Sequence, residues 1–231
     1  MPEASIKSNL KTLQHRIDSA CLLARRDPAG ILLLAVSKTK PVEMVNAALS
    51  CGQHHFGENY PQDAMVKIRA VTDERAVWHF IGAIQSNKTR SIAENFDWVH
   101  TVASEKIARR LNDQRPATRE PLNVLLQVNI DKEESKAGLT AEQTRAIIRP
   151  LMAFENIRLR GLMTIPAPSQ QPEIQQQAFR RLEQLRQLIA SEFDLHDFDQ
   201  LSMGMSADLE AAVAEGTTVL RIGTAIFGAR T

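Results

Sequence analysis

Cysteine is nearly absent from this sequence. The two present, Cys21 and Cys51, form no CxxC pair and no disulfide framework, which argues against a disulfide-built secreted scaffold. An excess of one charge sign is missing too. With 28 Lys and Arg against 27 Asp and Glu, the net charge is +1, so the electrostatic footprint of a nucleic-acid binder is not there. No apolar run approaches the ~20 residues of a membrane span. The first 30 residues carry charges throughout and lack the apolar stretch of a signal peptide. Low-complexity tracts, an interdomain linker and internal repeats are also lacking. His54 and His55 stand near Cys51, but neighbouring strand residues point to opposite faces and no cluster has ligand spacing; no metal is expected. His79, beside Trp78, reads as a structural strand residue. The composition, 43% apolar and 24% charged, is that of a soluble globular chain. The expectation is a cytoplasmic protein with neither a nucleic-acid nor a membrane partner.

What the sequence has is rhythm. Residues 1–26 form one helical segment, amphipathic over 3–26, with Ile6, Leu10, Leu13, Ile17, Ala20 and Leu23 at three- and four-residue steps. Asp27-Pro28-Ala29-Gly30 ends it. Strand candidates follow at 31–36, 54–58, 78–82, 97–102, 123–129, 159–165, 200–205 and 218–223. Helical patterns lie between them at 42–50, 62–70, 86–95, 104–113, 140–152, 171–192 and 207–215. In the longest, Ile174, Ala178, Leu182, Leu185, Leu188 and Ile189 make one stripe. Strands alternating with helices imply right-handed crossovers and a parallel sheet. Eight such units at this length predict an α/β fold: a single (β/α)8 TIM-like barrel over residues 1–231 with an extra N-terminal helix. An open doubly wound sheet is the alternative, but its glycine-rich first turn is replaced here by "SKTKP".

The first strand, "ILLLAV", is apolar throughout and then meets Ser37 and Lys38. A barrel carries its chemistry at the carboxyl ends of its strands. Lys38 therefore faces a ring of short polar loops: "GENY" after the second strand, "GAIQSNK" after the third, "MTIPAP" after the sixth and "GMSAD" after the seventh. Ser206 reads as an N-cap ahead of Asp208 and Glu210, and Gly223-Thr224 offers backbone donors and a hydroxyl. Together they suit a phosphate at the loops after strands seven and eight. A lysine beside a phosphate cradle fits two chemistries: a Schiff-base aldolase, or a pyridoxal-phosphate (PLP) protein.

Six motifs carry a resemblance over essentially the whole chain: "LLAVSKTKP" (33–41), "FGENY" (56–60), "WHFIGAIQSNK" (78–88), "RGLMTIPAP" (160–168), "LSMGMSADLEAAVAEG" (201–216) and "VLRIGTAIFGAR" (219–230). In combination they resemble the pyridoxal-phosphate homeostasis protein family, related to the barrel domain of alanine racemase. Leu209, where such proteins often carry methionine, conserves volume. The resemblance implies a fold-type-III PLP barrel in which Lys38 holds PLP as an internal aldimine. It implies that Ser206, Gly223 and Thr224 hold the phosphate, that Asn59, Met163, Ser202 and Met205 line the pocket, and that Arg221 sits near the pyridine nitrogen. The alternative for Arg221 is a structural ion pair at a strand end.

An arginine there opposes protonation of the ring, since like charges disfavour the charged form. A racemase also needs acid–base groups on both faces of its substrate. In alanine racemases the second is a tyrosine from a separate β-domain, whereas this sequence ends at Thr231 and its only tyrosine, Tyr60, belongs to the barrel. The expectation is a monomeric PLP carrier that buffers the cofactor or delivers it to apo PLP-dependent enzymes. A weak amino-acid racemase, or another PLP enzyme, is the alternative. Lys132 and Lys136, after the fifth strand, could make a secondary anion contact; a solvated charged loop is the simpler reading.

Overall fold

Every strand pairs in parallel with its neighbours in sequence, and β1 (Leu32–Val36) pairs with β8 (Val219–Ile222), so the sheet closes on itself in the order β1 to β8. Between these lie β2 (His55–Glu58), β3 (Val77–Phe80), β4 (Trp98–Val102), β5 (Leu122–Gln127), β6 (Ile157–Met163) and β7 (Gln200–Ser202). The computed structural model describes residues 2–131, 133, 137–167, 169 and 171–229. Lys132 and Lys136 lie outside the described residues.

The helices are α1 (Pro2–Ala24), α2 (Val42–Ser50), α3 (Pro61–Ala70), α4 (Thr89–Asn95), α5 (Glu105–Gln114), α6 (Ala141–Met152), α7 (Pro172–Glu192), α8 (Leu209–Ala214) and α9 (Thr224–Phe227). Local chemistry sets their starts. Thr140 accepts from the Gln143 N–H while the Gln143 side chain accepts from the Thr140 N–H, a complete capping box at α6. Ser104 caps α5 through the Ile107 N–H.

The N-terminal helix is less an addition than a replacement. The helix after β8 has only four residues, too short to cover that side of the barrel. α1 packs against α8, α2 and α9 and occupies the eighth helical place. The Asn9 side chain donates to the Ile226 carbonyl at 2.9 Å, and Arg26 donates to the carbonyls of Val213 and Thr217.

Several details differ from the sequence reading. Strand six starts earlier and ends at Met163, strand seven ends at Ser202, and 86–95 divides into a 3-10 turn followed by α4. Leu23 and Leu188, placed in apolar stripes, are exposed, while Cys21 and Phe179 are buried. The reason is angular: at roughly 100° per residue, Leu23 and Leu188 stand about a quarter-turn off the buried faces.

Alternation along the strands divides the core in two. Phe56, Trp78, Phe80 and Val99 belong to the apolar core cluster packed under the helices. The intervening positions on β2, β3 and β4 are His55, His79 and His100. The barrel interior is therefore polar along one line, and that line leads to the site.

Candidate functional site

A cavity of about 340 Å³ opens at the carboxyl ends of the strands. Seven of the residues singled out from the sequence line it: Lys38, Asn59, Met205, Ser206, Arg221, Gly223 and Thr224. Val36, Ile81, Ile165 and Ala207 complete the wall; these apolar and small residues sit inside the quoted motifs but carry no chemical signal of their own. Met163 and Ser202 do not line the cavity. Met163 is fully buried at the end of β6, and Ser202 sits behind Arg221. A larger cavity, about 910 Å³, lies at the opposite end of the barrel. The upper one is the candidate active site, because the βα loops and Lys38 converge there.

Lys38 occupies a tight turn. The Lys40 N–H donates to the Ser37 carbonyl at 3.0 Å, and Thr39 adopts φ +65°. A β-branched residue in that left-handed region is strained by on the order of 1–3 kcal/mol, as is common at functional sites. The turn is anchored from below by a buried polar cluster. The Ser37 hydroxyl donates to Glu58 Oε1 at 2.6 Å, and Lys67 Nζ donates to both Glu58 Oε1 and the Ser37 carbonyl, at 2.6 and 2.7 Å. Lys67, on the third helix, thereby ties the ends of β1 and β2 together. Sequence reading did not single out Glu58 or Lys67 for this role.

Asn59 follows Glu58 and is pinned by close backbone packing. A Cβ on Gly82 would stand 2.0 Å from the Asn59 carbonyl oxygen, so only glycine permits the approach. Asn59 Oδ1 is buried and has no partner among the described residues.

Two turns supply donors. The N–H groups of Ser206, Ala207, Thr224 and Ala225 have no acceptor among the described residues. Gly204, at φ +90°, reverses the chain after β7 and brings Met205 and Ser206 over the cavity. Ser206 is not an N-cap, as the sequence suggested: three turn residues separate Met205 from α8, which begins at Leu209. Its carbonyl accepts from Arg16 of α1 at 2.8 Å, and Arg16 also forms a bidentate pair with Glu210. Asp208 holds the turn by accepting from the Met205 N–H; burial raises its pKa.

Arg221 is buried and makes no ion pair among the described residues. It donates to Ser202 Oγ at 2.8 Å and to the Thr164 carbonyl at 2.9 Å. Burial lowers its pKa to about 10, partly offset by Asp208, so it remains a cation at neutral pH. Behind it runs a chain of hydrogen bonds across the barrel. Ser202 Oγ meets His100 Nδ1 at 2.8 Å, His100 Nε2 meets His79 Nδ1 at 2.9 Å, and His79 Nε2 meets His55 Nδ1 at 3.0 Å. Arginine has no acceptor. Ser202 Oγ therefore accepts from it, and the only other partner of that hydroxyl among the described residues is His100 Nδ1; with the Ser202 proton donated there, the proton of each imidazole lies on Nε2 in turn. Burial keeps the chain uncharged: it lowers the pKa of His100 to about 3, that of His79 far below its usual value, and that of His55 as well.

The fold and this site define a PLP-type barrel of the alanine racemase class. The family model "Alanine racemase, N-terminal domain" matches residues 5–231. A pyridoxal phosphate homeostasis protein of Pseudomonas aeruginosa is 51% identical over 228 residues, covering 98% of this chain and 96% of the relative. PipY of Synechococcus elongatus, in a structure with PLP bound, superposes with a TM-score of 0.85 at 33% identity, over 96% of this chain and 100% of PipY. An alanine racemase of Clostridium difficile shares the fold, with a TM-score of 0.74 at 14% identity, over 96% of this chain and 56% of the racemase. The chain belongs to the pyridoxal phosphate homeostasis protein family, built on the alanine racemase N-terminal barrel.

Proposed function

We propose that this protein holds pyridoxal phosphate in the upper cavity, with Lys38 as the covalent anchor, and acts as an intracellular carrier in vitamin B6 homeostasis. PLP, when bound, supplies an aldehyde that condenses with an amine and a ring that can draw electrons. The residues fit such a group. Ser206 and Thr224, with the N–H groups beside them, present donors suited to a phosphate. Asn59 Oδ1 is a buried acceptor awaiting a donor.

The observation that carries the carrier reading is Arg221. It borders the cavity as a cation held by neutral oxygens. A cation facing a pyridine nitrogen disfavours its protonation and so weakens the pull on electrons that racemisation needs. Tyr60 adds no second acid–base face: it is largely exposed and does not line the cavity. Recipients would be apo PLP-dependent enzymes, and the working form a cytoplasmic monomer.

Two measurements test this. Borohydride reduction of the PLP-loaded protein, followed by peptide mapping, should place the pyridoxyl group on Lys38, and a dominant adduct elsewhere would overturn the anchor. Deuterium exchange at Cα of alanine in D₂O should be no faster than with free PLP. Turnover in the enzymatic range of about 1–10³ s⁻¹ would overturn the carrier and restore the racemase.

A further inference from the structure

The cavity at the amino-terminal end of the barrel is used by nothing described so far. It measures about 910 Å³, at the large end of the range for small-molecule sites. Lys7 and Lys11 of α1 stand one turn apart on its rim, and Gln53, His54 and His55 line its wall. No aspartate or glutamate among the described residues lines it, although the chain as a whole carries 27. The two carboxylates that act on these histidines, Asp97 on His55 and Asp73 on His54, are engaged by Arg119 and Arg75. Lys7 and Lys11 make no ion pair among the described residues. His54 Nε2 is sealed from solvent without a partner. A cavity with two ammonium groups and the His55 ring on its lining, and no described acid in its wall, is suited to an anion.

His55 is also the last member of the chain that begins at Arg221. With Ser202 accepting from the arginine and giving its proton to His100, the row runs in one direction and ends in a His55 Nε2–H that has no acceptor among the described residues. An acceptor placed there would complete the row. Each bond in such a row polarises the next, so the occupant of the lower cavity and the guanidinium in the upper one are joined through three imidazoles and a hydroxyl.

We propose that the lower cavity is a second site, for a small phosphate-bearing anion, and that the His55–His79–His100–Ser202 chain connects its occupant to Arg221. The two ammonium groups on α1 hold the charge and His55 reads its presence. The PLP pocket and this site then occupy opposite mouths of one barrel.

The test uses PLP-loaded, ¹⁵N-labelled protein, with the upper cavity filled, titrated with inorganic phosphate at constant ionic strength. Histidine side-chain NMR should show a saturable shift at His55 Nε2, with smaller shifts of matching midpoint at His79 and His100. Lys7→Glu/Lys11→Glu, on an exposed helix face, should weaken phosphate at least tenfold while leaving PLP affinity unchanged. Absence of a saturable His55 shift, or equal phosphate affinity in the double variant, would overturn the site. A shift confined to His55 would overturn the connection.

Discussion

Glu58 Oε1 lies 2.6 Å from Lys67 Nζ, with both side chains almost wholly out of water. Glu58 directly precedes Asn59, and Ser37, which bonds to both members of the pair, directly precedes Lys38; Glu58 Oε2 has no partner among the described residues. Burying two charges is costly unless each satisfies the other, and removing one partner strands the second. Lys67→Met should therefore lower stability by about 3–5 kcal/mol in urea unfolding and weaken PLP retention. Glu58→Met/Lys67→Met should recover most of the stability but not the retention, because the Ser37 turn stays untied. A Lys67→Met loss below about 1 kcal/mol would show that the pair is not the anchor.

Acid should unfold the protein earlier than its carboxylates alone would dictate. His100 is uncharged when folded, with a pKa near 3, against 6.5 when exposed. As pH falls below 6.5 the unfolded chain binds a proton that the folded one refuses, so stability falls by up to about 1.4 kcal/mol per pH unit for each such histidine. The window runs down to the folded pKa; above 6.5 the effect vanishes. Urea midpoints between pH 7.5 and 5 should show this slope, and His100→Gln should reduce it by one proton's share. An unchanged slope in that variant would refute the assignment.

Ser206→Ala and Thr224→Ala should each weaken PLP. A hydrogen bond to a charged group contributes about 1.5–3 kcal/mol, so affinity should fall tenfold or more per substitution, measured by equilibrium fluorescence. Pyridoxal, without the phosphate, should bind poorly and ignore both changes. Equal binding of pyridoxal and PLP would displace the phosphate from these turns.

Gly82→Ala should disturb the site without touching it. The added methyl would overlap the Asn59 carbonyl, which is backbone and cannot swing aside. Overpacking of this kind costs about 1–3 kcal/mol. The variant should lose stability in that range and bind PLP more weakly. Wild-type affinity would mean that Asn59 does not contribute.

Much of this was legible in the sequence because its signals are local. An apolar run that stops at "SK", and eight repeats of strand and helix, need only near neighbours to be read. That Lys38, Ser206 and Thr224 stand at strand ends on one face of the barrel is readable in that way. The histidine chain was not, because His100 on β4 meets Ser202 on β7, and only the closed sheet brings those strands face to face. Glu58 and Lys67 escaped for a related reason: both types are usually solvated, and nothing in their spacing reveals that a helix has folded over a strand end. Leu23 shows the opposite error. Its three-residue step looked periodic, yet the helix had already rotated it off the buried face.

The eighth side of the barrel also sets an order of events for the growing chain. Asn9 of α1 bonds to Ile226, 217 positions later. At roughly 5–20 residues per second, the helix waits about 10–40 s for its docking surface to be made. Through that interval Ile6, Leu13 and Ile17, buried in the finished barrel, have no late partners to cover them. Closure of so long a loop is slow, so the apolar face of α1 stays open to wrong association until α8 and α9 have been made.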